Sequence, residues 1–118
     1  MPVNWDDLEW DEAGPGVRRK VAHGAGFTLA LVELTPESVP QPHAHPHEQA
    51  STVQSGSGEF LVDGARHPVK PGDVVLIPGG VPHALAVPGP GNIVVLDVFV
   101  PRREEFPPSR LCQQAARS

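Results

Sequence analysis

Three imidazoles and one amide recur in this chain at spacings that suit a single metal ion. The run Pro42-His43-Ala44-His45-Pro46-His47-Glu48-Gln49 is answered about forty residues later by Pro82-His83. Alternate side chains of a β-strand share a face, so His43 and His45 are expected about 6.6 Å apart on one side, with Gln49 on the same parity. His83 closes a second block, Gly72-Asp73-Val74-Val75-Leu76-Ile77-Pro78-Gly79-Gly80-Val81-Pro82-His83. Three histidines and an amide oxygen make a coordination sphere for one divalent transition metal ion and leave room for water or substrate. The donor set suits zinc, nickel, cobalt, manganese or ferrous iron, and the sequence does not choose among them. The amide carries information of its own. With Gln49 where a carboxylate could stand, no protein ligand offsets the charge of the ion, which becomes a stronger Lewis acid and favours non-redox work; the alternative is a tolerated substitution. Pro46 is expected to break the alternation, leaving His47 at the rim, while His23 and His67 sit in turn-like surroundings and are read as surface residues.

The elements that must hold these groups are short. Apolar runs at 17–22, 27–34, 50–54, 59–62, 73–77, 82–87 and 93–100 are each bounded by Gly, Pro, Asp or Asn, the rhythm of an all-β barrel or sandwich. Helical periodicity is confined to the ends, as one turn over 4–10 and a short helix over 110–117. The run 17–22 is the candidate edge strand. Asp97 interrupts the last apolar run. A carboxylate in such a strand is costly unless paired or functional, and parity places it with Val95 and Phe99 on the face that would line a barrel. Its partner is either the metal-side chemistry, a core backbone group, or Arg18 or Lys20.

Length and charge bound the remainder. The 118 residues suit one domain, and nine basic against fourteen acidic residues leave a net charge of -5, which argues against nucleic acid or an anionic membrane as partner. A single cysteine, Cys112, cannot form an internal disulfide, and no apolar run is long enough for a signal peptide or a membrane span. A cytoplasmic protein is the expectation. No glycine-rich phosphate loop opens a helix, and the absence of tyrosine argues against lyases that use a tyrosine base.

On the two histidine blocks the chain resembles the cupin superfamily, whose motifs read G-x5-H-x-H-x3,4-E-x6-G and G-x5-P-x-G-x2-H-x3-N. Here they stand as His43-x-His45-x3-Gln49-x6-Gly56 and Gly72-x5-Pro78-x-Gly80-x2-His83, with Glu37, Gln49 and Val87 departing from the pattern. The resemblance implies a single cupin domain over 1–118: a double-stranded β-helix of jelly-roll type with its barrel over about 15–103, a short N-terminal segment 1–14 and a tail 104–118. Three stretches narrow it further. Trp10 to Val21, His43 to Gln49 and Val95 to Phe106 resemble the bacterial cupins that open the ring of 4,5-unsaturated uronates from pectin and alginate. That resemblance implies a metal-dependent isomerase acting on a sugar acid. Asp97 would transfer protons, Arg103 would hold the substrate carboxylate and Phe99 would pack on the sugar face, with His43, His45, Gln49 and His83 on the metal. A cupin cyclase or dioxygenase of secondary metabolism or aromatic catabolism is the alternative, followed by a non-catalytic small-molecule binder. Small cupins pair through edge strands, so a homodimer is expected.

Overall fold

The computed structural model describes residues 2–112. After a 3-10 turn at Trp5–Asp7 these residues form nine strands: β1 Asp11–Gly14, β2 Val17–His23, β3 Thr28–Leu34, β4 Glu48–Ser55, β5 Gly58–Val62, β6 Ala65–Val69, β7 Val74–Ile77, β8 His83–Ala86 and β9 Ile93–Val100. All pairings are antiparallel. Six strands make one sheet in the order β1-β2-β3-β9-β4-β7 and three make another in the order β6-β5-β8. The two sheets close on each other as a β-barrel, one of the two all-β forms that the sequence pattern leads one to expect.

The core sits between the sheets, where Leu34, Val53, Val95 and Ile77 of the first meet Phe60 and Val69 of the second. Each lies at an inward position of its strand, so the period of two in the sequence is also the division between core and solvent. Register then sorts the inward residues into rows. One row carries Arg19, Val32, Val95 and Val53, the next Val21, Ala30, Asp97 and Ser51, and a third His23, Thr28, Phe99, Gln49 and Ile77. The first row is apolar apart from Arg19; the other two bring most of the polar groups together.

Seven of the strands fall on expected runs, and two do not. β1 contains Asp-Glu-Ala-Gly, with no strong strand former, and owes its place to pairing with β2, where Asp11 faces Arg19 and Glu12 faces Arg18. β6 holds Pro68 and four exposed residues, a composition tolerated only on an edge, and it is tied to β5 by the Asp63-Gly64 turn, both residues at positive φ. β2, the candidate edge, lies between β1 and β3, so the edges of the large sheet are β1 and β7. At the N-terminus the expected turn is present. Of the helix expected over 110–117, residues 110–112 are not helical, Leu111 instead bridging Leu8, and residues 113–118 lie outside those described. The described part of the tail is stitched to the body, since the Ser109 amide donates to Val21 O, the Glu9 amide to Arg110 O and the Cys112 amide to Asp7 O.

Candidate metal centre

β4 begins only at Glu48, so His43 and His45 lie in the approach to that strand and not on it. This corrects the expectation of strand alternation, and the reason is local: Pro42 and Pro46 each remove a ladder donor and restrict the residue before them. Other contacts replace the ladder. His43 and His83 exchange backbone hydrogen bonds of 3.0 and 2.9 Å, and the Gly80 amide donates to His45 O at 2.8 Å. Gly79 permits that approach, because a Cβ there would collide with the Pro46 carbonyl oxygen. The two sequence blocks are therefore joined backbone to backbone at the site itself.

The three rings converge. Their centroids lie 4.4 Å (His43–His83), 4.9 Å (His45–His83) and 5.8 Å (His43–His45) apart, and one nitrogen from each falls within 4.8 Å of the others. His45 and His83 are buried and His43 is exposed at the mouth. Their tautomers are set from outside. Nδ1 of His43 meets Gln41 O, that of His45 meets His47 O, and that of His83 meets Val81 O, at 2.8–3.0 Å. A carbonyl only accepts, so each Nδ1 carries a proton and leaves the Nε2 side of its ring facing inward. Burial, above all, lowers the pKa of both His45 and His83, which keeps them neutral. The buried Nε2 of His83 has no hydrogen-bond partner among the described residues. An inward set of imidazole nitrogens, one of them orphaned, is what a divalent cation satisfies, and these three histidines could hold one.

Gln49 completes the picture through a chain of hydrogen bonds. The Ser51 hydroxyl donates to Asp97 Oδ1 at 2.6 Å and accepts from Gln49 Nε2 at 2.9 Å. Because the hydroxyl has one hydrogen and an ionised Asp97 demands it, the amide must turn its nitrogen toward Ser51 and its oxygen toward His45. Gln49 Oε1 thus faces His45 Nε2 at 3.0 Å. Two acceptors at that distance repel unless a cation lies between them. Asp97, half-buried among these groups, has its pKa pushed up to about 6, chiefly by burial, against the lowering hydrogen bond from Ser51. Neither Arg18 nor Lys20 is its partner: both lie on the face of β2 away from the cavity, Arg18 bound to Glu33 at 2.6 Å and Lys20 buried against Trp10 and bound to Trp5 O at 2.8 Å.

A cavity of about 410 Å³ opens beside the cluster, lined by His43, Gln49, His83, Asp97, Phe99 and Arg103 among others. Phe99 is buried and sets its ring against His45 and Phe106. Arg103 lies over both phenyl rings, and its Nε and Nη2 bind Glu105. His47 is half-buried with its ring 5.4 Å from that of His45, outside the convergent trio. Arg102 turns away to Glu104 and Gly24 O. His67 is exposed as expected, although on β6 and not in a turn. His23, read as a surface residue, is half-buried: it joins Thr28 Oγ1 to Phe106 O and so anchors the tail. Three cavity or network residues carry no flag in the sequence pattern, namely Ser51, Arg19 and Phe106. Ser51 could have been found by its parity with Gln49; Phe106, beyond the last strand, had no periodic signal.

A β-barrel with clustered imidazoles in its mouth defines a cupin-type protein. The chain belongs to the cupin family: the cupin domain model matches residues 30–99. It is similar to the pectin degradation protein KdgF of Dickeya dadantii, 27% identical over 103 residues that cover 86% of this chain and 93% of that one. It is also similar in structure to KdgF from Halomonas sp., with a TM-score of 0.79 and 30% identity over 86% of this chain and 94% of that one. The polyketide cyclase RemF from Streptomyces resistomycificus matches with a TM-score of 0.74 and 26% identity, over 94% and 84% of the two chains.

Proposed function

We propose that this protein is a metal-dependent cupin enzyme that converts 4,5-unsaturated monouronates from pectin or alginate breakdown to linear keto sugar acids, by ring opening and tautomerisation. The observation that carries the reading is Asp97: a carboxyl with its pKa pushed up to about 6, linked through Ser51 and Gln49 to the histidine cluster and facing a cavity large enough for a sugar acid. The likeness to a protein named for pectin degradation, and to a second that shares its KdgF name, supports the same substrate class.

An unsaturated uronate is a cyclic enol ether bearing a hemiacetal hydroxyl. Opening it takes a proton from that hydroxyl as the carbonyl forms, breaks the bond to the ring oxygen, and leaves an enol that becomes a ketone when a proton reaches the neighbouring carbon. No atom is gained or lost. Asp97 is the group that receives and returns the proton, and a pKa near neutrality suits both directions. Held by His43, His45, Gln49 and His83, a divalent ion would supply Lewis acidity toward substrate oxygen. Arg103 contributes positive charge on the side where the carboxylate lies, and Phe99 closes the wall against the sugar face. The lone Cys112 suits a reducing compartment, and we place the enzyme in the cytoplasm. We further propose a homodimer, supported by edge strand β7, whose Val74 and Leu76 are 57% and 73% exposed; a monomer on size-exclusion chromatography overturns it. Among the described residues, no helix is long and apolar enough to cross a membrane.

A second reading, a cyclase of secondary metabolism acting on a polyketide, is favoured by the likeness to RemF and by Val32, Leu34, Phe60 and Leu85 in the cavity wall. The presence of Asp97 and Arg103 in the same wall favours the sugar acid. The deciding experiment incubates metal-loaded protein with 4,5-unsaturated galacturonate and mannuronate and follows loss of enol-ether absorbance. Acceleration over the spontaneous rate supports the isomerase; none with either compound moves the assignment to the cyclase.

A further inference from the structure

The residues assigned so far come from β4, β8, β9 and the segments beside them. One further charged side chain enters the cavity from the other flank of the large sheet. On β2, Val17, Arg19 and Val21 share the inward face, while Arg18 and Lys20 point out, and Arg19 lines the same cavity as Gln49, Asp97 and Arg103. Register places it one row below Asp97 and two strands away, across β3.

Arg19 is without a partner where comparable groups have one. Arg18, Arg66, Arg102 and Arg103 each meet a glutamate within 4 Å, whereas among the described residues no carboxylate and no hydrogen-bond acceptor engages the Arg19 guanidinium. Its Cζ lies 3.8 Å from the centroid of the Phe106 ring, and Arg103 sits over the same ring at 4.1 Å. A guanidinium stacked on a ring keeps its N–H edges for a partner in the ring's surroundings. For Arg103 that partner is already chosen: Nε and Nη2, one whole edge of the fork, bind Glu105 Oε2 at 2.9 and 2.8 Å. The fork of Arg19 is free. Burial first, and then the neighbouring Arg103, lower its pKa against the smaller opposing pull of Asp11 and Glu105, so the charge is on balance under-solvated, a condition that an anion in the cavity relieves.

We propose that Arg19, braced on Phe106, is the residue that grips the substrate carboxylate, while Arg103 is held by Glu105 as the second cation of the anion site. The inference rests on the carboxylate substrate proposed above. It makes the tail a part of the site, because Phe106 belongs to the segment that Ser109 and Leu111 tie back to the barrel.

The test is calorimetric titration of metal-loaded protein with three non-reacting probes: galacturonate, its neutral counterpart galactose, and benzoate as a carboxylate without a sugar. Replacing Arg19 by glutamine is expected to weaken galacturonate and benzoate by at least about tenfold, the worth of a charge-assisted pair, and to leave galactose and metal content unchanged. Arg19→Lys keeps the charge but loses the fork, and is expected to recover only part of the affinity. Unaltered thermal midpoints of both variants report an intact barrel. Carboxylate affinities that do not change in Arg19→Gln overturn the proposal, as does a wild-type protein that binds neither carboxylate better than galactose. If benzoate binds through Arg19 and galacturonate is not preferred over galactose, the anion grip stands and the sugar-acid reading falls.

Discussion

Asp97→Asn separates the catalytic value of this carboxyl from its cost to the fold. Burial lifts its pKa from 3.8 to about 6 in the folded protein, so between those values the unfolded chain releases the proton more readily and rising pH favours unfolding. The penalty is absent below the unfolded pKa, grows as pH rises, and is complete above about 6. A tenfold change in proton affinity is worth about 1.4 kcal/mol, giving a full penalty of about 3 kcal/mol, of which between about 2 and 3 kcal/mol develops from pH 4 to pH 8. Asparagine has the same shape, can still accept from Ser51, and does not ionise. Urea unfolding of metal-free wild type and variant, followed by circular dichroism at both pH values, isolates the effect because any loss of packing in the variant is independent of pH. The variant should gain on the wild type by that amount between pH 4 and pH 8. A difference that stays constant or shrinks refutes the desolvated carboxyl. The same variant, loaded with metal, should lose turnover while keeping metal content; full activity removes Asp97 from proton transfer.

Gln49→Glu should retain the metal and slow ring opening, because an anionic ligand weakens the Lewis acid; an unchanged rate with an unchanged metal-to-protein ratio makes the amide a neutral choice. Ser51→Ala removes the hydroxyl that turns the Gln49 oxygen toward His45, and metal affinity measured by competition with a chelator should fall by about 10–100-fold. The same change deletes the hydrogen bond that lowers the Asp97 pKa, so a carboxyl titration followed by NMR should move further up. Gly79→Ala drives a Cβ into the Pro46 carbonyl and should cost about 1–3 kcal/mol of stability together with metal affinity. Gly26→Ala, with open space around it, should be neutral within about 0.5 kcal/mol by thermal unfolding.

How much of this was legible in the chain depends on how local each signal is. Strand identity follows from a period of two read over a few residues, and Val95, Asp97 and Phe99 fall on one inner face by counting alone. β1 and β6 escape such counting because their residues have little strand preference and are held by a neighbour's ladder. The partner of Asp97 is hidden for a related reason: Arg18 and Lys20 are the nearest cations by composition, yet they face outward, while Ser51 arrives from β4 by register. Nothing in the local pattern distinguishes Arg19 from Arg18 until β2 is given an inside.

By itself, then, the sequence determined which residue types could meet a metal and which short runs would be strands, since the first depends on donor type and spacing within two short blocks and the second on neighbours a few positions apart. Only the tertiary structure decided which way each histidine carries its proton, that Gln49 is oriented through Ser51 by Asp97, and that, among the described residues, Glu105 holds the fork of Arg103 while no acceptor holds that of Arg19. Those outcomes depend on which donor and which charge lie within about 3 Å, and residues far apart in the chain reach that distance only when the strands pair in register and the barrel closes.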